Sequence, residues 1–218
     1  MELYNQILNN LPAFEVSEMM DKVIDFFDQT TCSHVAITDN NVFLGVLPEN
    51  DLASFEADKS IADFKHNLEH FFVTNETSWL DVLEIFARNE ANIMPVLDTN
   101  KHIIGYYDLT DIVGVFIATP FFTEPGGILV VEKGAKDYSM SEIAQIVESN
   151  NAKVLGAFVT DSQNDIIQIT IKISSASLNE ISQTFRRYNY NILFGNSDDQ
   201  FLEDLKQRSA YLEKYLNV

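Results

Sequence analysis

Four histidines, one cysteine and a surplus of carboxylates are the side chains in this sequence best able to do chemistry. His66 and His70 stand four residues apart in a segment, Ser60 to Phe72, that reads as a helix. That spacing can set two imidazoles on one helix face and is used by zinc sites. The run His-Asn-Leu-Glu-His lacks the acid beside the first histidine that a metalloprotease needs. A polar face on a joining helix accounts for the pair, and no metal is assigned. His34 and His102 are isolated, and each opens an apolar run. Cys32 has no base supplied by any sequence pattern and reads as a small residue in a helix-to-strand turn. Two aspartates, Asp51 and Asp111, each follow a glycine by six residues, Gly45 and Gly105, and each falls at a helix start. There a carboxylate satisfies free backbone N–H groups, or is offered to a ligand. No nucleophile elbow, P-loop or post-strand GxGxxG occurs, and scattered carboxylates in so acidic a chain are uninformative, so no catalytic residue is assigned.

Charge narrows the partners. The chain has 218 residues and a net charge of −19, with 21 acidic and 5 basic side chains before residue 126. Such a field repels phosphate backbones and anionic headgroups, so neither nucleic acid nor membrane is expected as a partner. The greasiest window, Ile112 to Phe122, is broken by Gly114, Thr119 and Pro120 and is too short to span a bilayer. The first residues lack a signal-peptide pattern, and a single cysteine suits a reducing compartment, so a cytoplasmic location is expected.

The elements that must position these residues come in two copies. Met20, Val23, Ile24 and Phe27 mark one face of a helix, and Trp79, Val82, Leu83 and Phe86 repeat the spacing 59 positions later. A strand ending in an acidic turn follows each helix, His34 to Asp39 and Ile93 to Asp98, again at an offset of 59. The turns then differ by one residue, and each leads to a second strand containing Gly45 or Gly105. Helix face, turn acid, glycine and aspartate all keep register, so residues 3–118 are a duplication, with repeats at about 3–59 and 60–118.

This doubled pattern resembles the CBS domain, and its tandem form resembles a CBS pair. The resemblance implies two βαββα units packed sheet to sheet around a pseudo-twofold axis, with adenosine nucleotides held in the clefts. It implies that Asp51 and Asp111 grip ribose hydroxyls, as an ionised carboxylate can accept from a vicinal pair. It also makes His34, Ala36, Met94, Pro95 and Asp108 candidates for lining the clefts. Nucleotide binders of the family commonly carry Ser or Thr three residues after the glycine. Here Pro48 lacks a donor, and Asp108 repels phosphate. AMP, ATP or another adenosyl compound is the implied effector, and one of low negative charge suits these departures best.

The remainder reads differently. Residues 119–126 form a linker, because two prolines and the Gly126-Gly127 pair at its end oppose regular structure. From 127 to 196 the order is βαββαβ: a strand at Ile128 to Glu132, a capping box Ser139 to Glu142, a strand at Lys153 to Thr160, a hairpin loop Asp161 to Asp165, and an alternating strand through Ile167, Ile169, Ile171 and Ile173. A second capping box, Ser177 to Glu180, and a final strand, Ile192 to Phe194, complete it. This ferredoxin-like order resembles an ACT domain, which implies an amino-acid ligand near the loop Lys133 to Asp137, although Gly134 there also serves a turn. Residues 199–218 carry an apolar stripe and predict an amphipathic terminal helix packed on its own chain.

The fold class is therefore α/β (α+β): a tandem CBS pair, a ferredoxin-like ACT-type domain and a terminal helix. A CBS pair followed by an ACT-like domain resembles the acetoin-utilisation type of CBS protein. The function expected is regulatory and non-enzymatic, with a small-molecule effector and a homodimer. The competing reading is a protein-interaction scaffold with vestigial clefts and an acidic face that docks a protein partner.

Overall fold

The computed structural model describes residues 3–174 and 178–195, and the chain divides into two compact units that meet near residue 116. The first unit contains both repeats. In the first repeat, strand β1 (Ala13–Glu15) is followed by helix α1 (Asp21–Gln29), β2 (His34–Asp39) and β3 (Val42–Pro48). The second gives β4 (Val73–Thr74), helix α2 (Trp79–Arg88), β5 (Ile93–Leu97), β6 (Ile103–Asp108) and helix α3 (Leu109–Ile117). Each repeat makes a three-stranded sheet, β1-β2-β3 and β4-β5-β6, with a parallel and then an antiparallel pair. The predicted faces of α1 and α2 are the buried ones: Val23, Phe27, Val82 and Phe86 are almost wholly enclosed.

Exchange of the repeats also exchanges their hydrogen bonds. Val46 and Glu69 bond reciprocally through their backbones, both at 2.9 Å, and Tyr106 and Leu8 do the same at 2.9 and 2.8 Å. The strip leading into each repeat therefore crosses over to pair with the other's last strand. Gly45 and Gly105 lie where the strips cross: an added Cβ would meet the Glu69 carbonyl oxygen at 2.8 Å and the Leu8 carbonyl oxygen at 2.6 Å, respectively. The glycine of the repeated motif is thus required by a close backbone approach.

Three local expectations are corrected. Residues 60–72 are not an α-helix: a 3-10 stretch, Ile61–Asn67, kinks at Phe64, and the chain then extends to pair through Glu69. His66 and His70 consequently share no helix face, and His70 Nδ1 donates to the Leu44 carbonyl at 2.9 Å. Asp51 lies in a 3-10 turn, Glu49–Ser54, rather than an α-helix. Apolar side chains there are too few to hold a longer helix to the core, whereas Ile112, Val113 and Phe116 sustain α3. The linker is not wholly irregular either: Pro120, suited to a helix start, opens the short helix α4 (Pro120–Thr123).

The second unit continues with β7 (Gly126–Gly134), α5 (Met140–Ser149), β8 (Val154–Gln163), β9 (Ile166–Ser174), α6 (Leu178–Arg187) and β10 (Asn191–Gly195). Its sheet order, β10-β7-β9-β8, is antiparallel throughout and has the expected βαββαβ connection. Strand β7 begins at Gly126 because the Gly-Gly pair joins the ladder opposite Ser174 and Ile173. The hairpin turn tightens to Asn164 and Asp165, both with positive φ. A bulge between Val154 and Gly156 shifts the strand, so Val154 and Ala157 reach the core. The capping box forms only in part: Ser139 accepts the Glu142 N–H, but the Glu142 carboxylate goes to Lys133 Nζ at 2.7 Å. Ser177 and the predicted helix over 199–218 lie outside the described residues. No described helix is long and apolar enough to cross a membrane.

Candidate ligand cleft

Where the repeats meet, a cavity of about 380 Å3 is lined by Ser33, His34, Glu49, Asn50, Glu69, Arg88, Asn89 and Glu90. Residues 33–50 come from the first repeat, and Glu69 and the end of α2 come from the second. Two residues at the same place in their repeats, Ser33 and Asn92, tie the floor together. Ser33 N donates to Asn92 Oδ1 and Asn92 N donates to Ser33 Oγ, both at 2.8 Å, while Asn92 Nδ2 donates to the Thr31 carbonyl at 2.7 Å.

His34 sits against that pair. Glu69 Oε2, 3.3 Å from His34 Nε2, can only accept, so the neutral ring offers Nδ1 as an acceptor to the Ser33 hydroxyl 2.8 Å away. The hydrogen-bond pattern then assigns the ring proton to Nε2, which donates to Glu69 Oε2 at 3.3 Å. The ring is almost wholly buried and meets Phe71 edge-on at 5.0 Å. Burial pushes the imidazole pKa below its ordinary value, and the Glu69 carboxylate only partly opposes this. The folded state therefore holds His34 neutral while the unfolded chain still takes up a proton, so this residue costs stability as pH falls from about 6.5 toward the lowered folded value. His34→Gln should flatten the loss of melting temperature between pH 7 and 5.5, read by a thermal melt at each pH. An unchanged slope would remove His34 as its source.

The cavity wall is acidic. Glu49, Glu69 and Glu90 face it, and its one arginine, Arg88, is already paired with Glu84 on α2. Of the residues singled out in the sequence, only His34 lies on this wall. Asp51 is nearby in sequence but half-buried, its Oδ2 accepting from Asn67 Nδ2 at 2.7 Å. Asp111 is exposed in the first turn of α3 and has no hydrogen-bond partner among the described residues. Asp108 caps the start of that helix, its Oδ1 accepting the Thr110 N–H at 2.7 Å. Ala36, Met94 and Pro95 belong to the packed interior rather than to the cavity wall. Strands β2 and β5 are the middle strands of their sheets and lie against each other, which buries residues on both faces. Glu69 escaped sequence reasoning because a crossed strip brings it to the wall, and Arg88 because it arrives on the end of α2 from the other repeat. The Ser33–Asn92 pair was signalled by its offset of 59, the same as the helices.

Among the described residues, no group of three or more His, Cys, Asp or Glu side chains is placed to hold a metal ion. The Cys32 thiol is pushed up by burial, which disfavours the thiolate. In the second unit, Lys133 is engaged by Glu142 and lies over the Tyr190 ring at 4.3 Å. Burial raises the Tyr190 hydroxyl pKa to about 12.

No curated protein matches the sequence. Among solved structures, the chain is similar to a CBS domain pair/ACT domain protein from Thermotoga maritima, at 22% identity and a TM-score of 0.48, over 54% of this chain and 97% of that one. It is similar to the CBS domains of a transcriptional regulator from Streptococcus pneumoniae, at 14% identity and a TM-score of 0.47, over 52% and 98%. A third likeness is to CBSX2 in complex with AMP, at 15% identity and a TM-score of 0.45, over 53% and 96%. The profile of one family matches part of the sequence: residues 63–118, the stretch holding β4 through α3, match the CBS domain.

Proposed function

We propose that this chain is a non-enzymatic regulatory protein whose repeat clefts take an adenosyl ligand of low negative charge. The observation that carries the reading is the cavity beside His34, built from both repeats and next to the 3-10 turn bearing Asp51. A ligand there touches both halves of the pair, so binding can bias their arrangement. The wall selects against polyphosphates, because three carboxylates face the cavity and its one arginine is paired with Glu84. A nucleoside, or an adenosyl group with a cationic tail, avoids that repulsion. An amino-acid site at the loop after β7 is less supported, since Lys133 is committed to Glu142. A cytoplasmic homodimer remains the setting in which we place the protein.

The same acidic wall favours a second reading, a scaffold that docks a basic protein partner with its clefts empty. Thermal-shift measurements with adenosine, AMP, ATP, NAD and S-adenosylmethionine separate the two, because a ligand that prefers the folded state raises the melting temperature. A rise with an adenosyl compound, reduced by Asp51→Ala or Asp111→Ala, supports the sensor. No rise at millimolar ligand favours the scaffold.

A further inference from the structure

The sheet of the second unit packs α5 and α6 against one side, where Leu129, Val131 and the buried isoleucines of β9 meet them. Its other side is apolar too. Phe194, Val130, Thr170 and Phe158 stand opposite one another on β10, β7, β9 and β8 and form one continuous row. Phe158 and Phe194 are 44% and 54% exposed, and Ile128 in the next row is 38% exposed. An apolar row running across a whole sheet marks a face that something covers. One corner already has its cover: the Phe121 ring of α4 lies over Gly156, where no Cβ would fit, and meets Phe158 at 5.6 Å. We infer that residues 199–218 of the same chain cover the rest of this face as an amphipathic helix, making the sheet the middle layer of three.

Length, pattern and charge all favour this occupant. The segment leaves from β10, whose Phe194 belongs to the row, and residues 196–198 supply about 10 Å of chain, one packing layer. A helix over 199–218 spans about 30 Å, against roughly 14 Å from β10 to β8 across the sheet. Phe201, Leu205 and Leu212 share one side of that helix, and Arg208 falls among them, three residues after Leu205 and four before Leu212. The sheet answers that charge: beside the apolar row, Glu132, Gln168 and Asp161 stand together across β7, β9 and β8. A second copy would have to displace a tethered segment whose effective concentration is on the order of millimolar.

Methyl-labelled wild-type chain, diluted with unlabelled chain, tests this without any substitution. Nuclear Overhauser contacts should join the Ile128 and Val130 methyl groups to those of Leu205 or Leu212. They should vanish when chains labelled only at isoleucine and valine are mixed with chains labelled only at leucine. Contacts in that mixture would give the face to a second copy, and no contact in either sample would leave it uncovered. Either result overturns the inference. Leu205→Asp combined with Leu212→Asp should also shift the Ile128 and Val130 methyl resonances while those of Ile143 and Ile146, on the α5 side, stay in place. Unmoved Ile128 and Val130 resonances overturn the inference as well.

Discussion

Gly105→Ala is expected to destabilise the first unit by about 3 kcal/mol or more, through backbone strain and steric conflict together. Gly105 has φ +148°, a conformation that L side chains rarely adopt. A Cβ there would also lie 2.3 Å from Ile7 Cγ2, 2.6 Å from the Leu8 carbonyl oxygen and 2.8 Å from Asn9 Oδ1. Relief requires the N-terminal strip to lift from β6, breaking the reciprocal bonds between Leu8 and Tyr106 and releasing the Tyr106 hydroxyl from the Pro12 carbonyl. Gly45→Ala should cost less, because its conflict is mainly with the Glu69 carbonyl at 2.8 Å and its φ is ordinary. Gly114→Ala is the control: no atom lies within 4 Å of its added Cβ, and α3 should gain about 0.5–1 kcal/mol. Urea denaturation of the three variants checks the order, and a Gly105→Ala protein as stable as the Gly114→Ala protein would refute the crossed-strip account.

Phe185→Ala should cost the second unit about 3–5 kcal/mol, the range for truncating a fully buried aromatic side chain. The ring is wholly buried on α6 and meets Tyr190 edge-on at 5.3 Å. Tyr190 in turn accepts the Ser139 N–H at 3.3 Å with its hydroxyl and carries Lys133 over its face. Losing Phe185 therefore leaves a cavity and also loosens the start of α5. Hydrogen exchange followed by mass spectrometry should show protection falling across β7, β9 and α5 while β2 and β5 keep theirs. Uniform loss over both units, or a change below about 1 kcal/mol, would contradict this account of the core.

Much of this architecture was legible in the sequence because its signals are periodic. The alternating isoleucines 167 to 173 are all buried in β9, and the helix faces of α1 and α2 pack as their spacing requires. What escaped prediction was non-local. Ser60 to Phe72 has the residues of a helix, yet Glu69 pairs with Val46 of the other repeat, and that tertiary bond overrides local preference. The motif glycines were visible, but their cause, a strip arriving from the partner repeat, was not. The same distance effect separates Asp51 from Asp111: sequence gives them equal places, whereas Asn67 reaches only the first. Likewise His34 was recognisable as a candidate, but its burial and its Ser33 and Glu69 partners come together only where the two repeats meet.

The central claim is that an acidic cleft between the repeats accepts an adenosyl group and penalises phosphate. Isothermal titration of the wild-type chain with adenosine, AMP and ATP, at low and at high salt, tests it most directly. The account predicts affinity falling in that order at low salt, with the gaps narrowing as salt screens the wall carboxylates. ATP binding more tightly than adenosine, or an order that salt leaves unmoved, would contradict it.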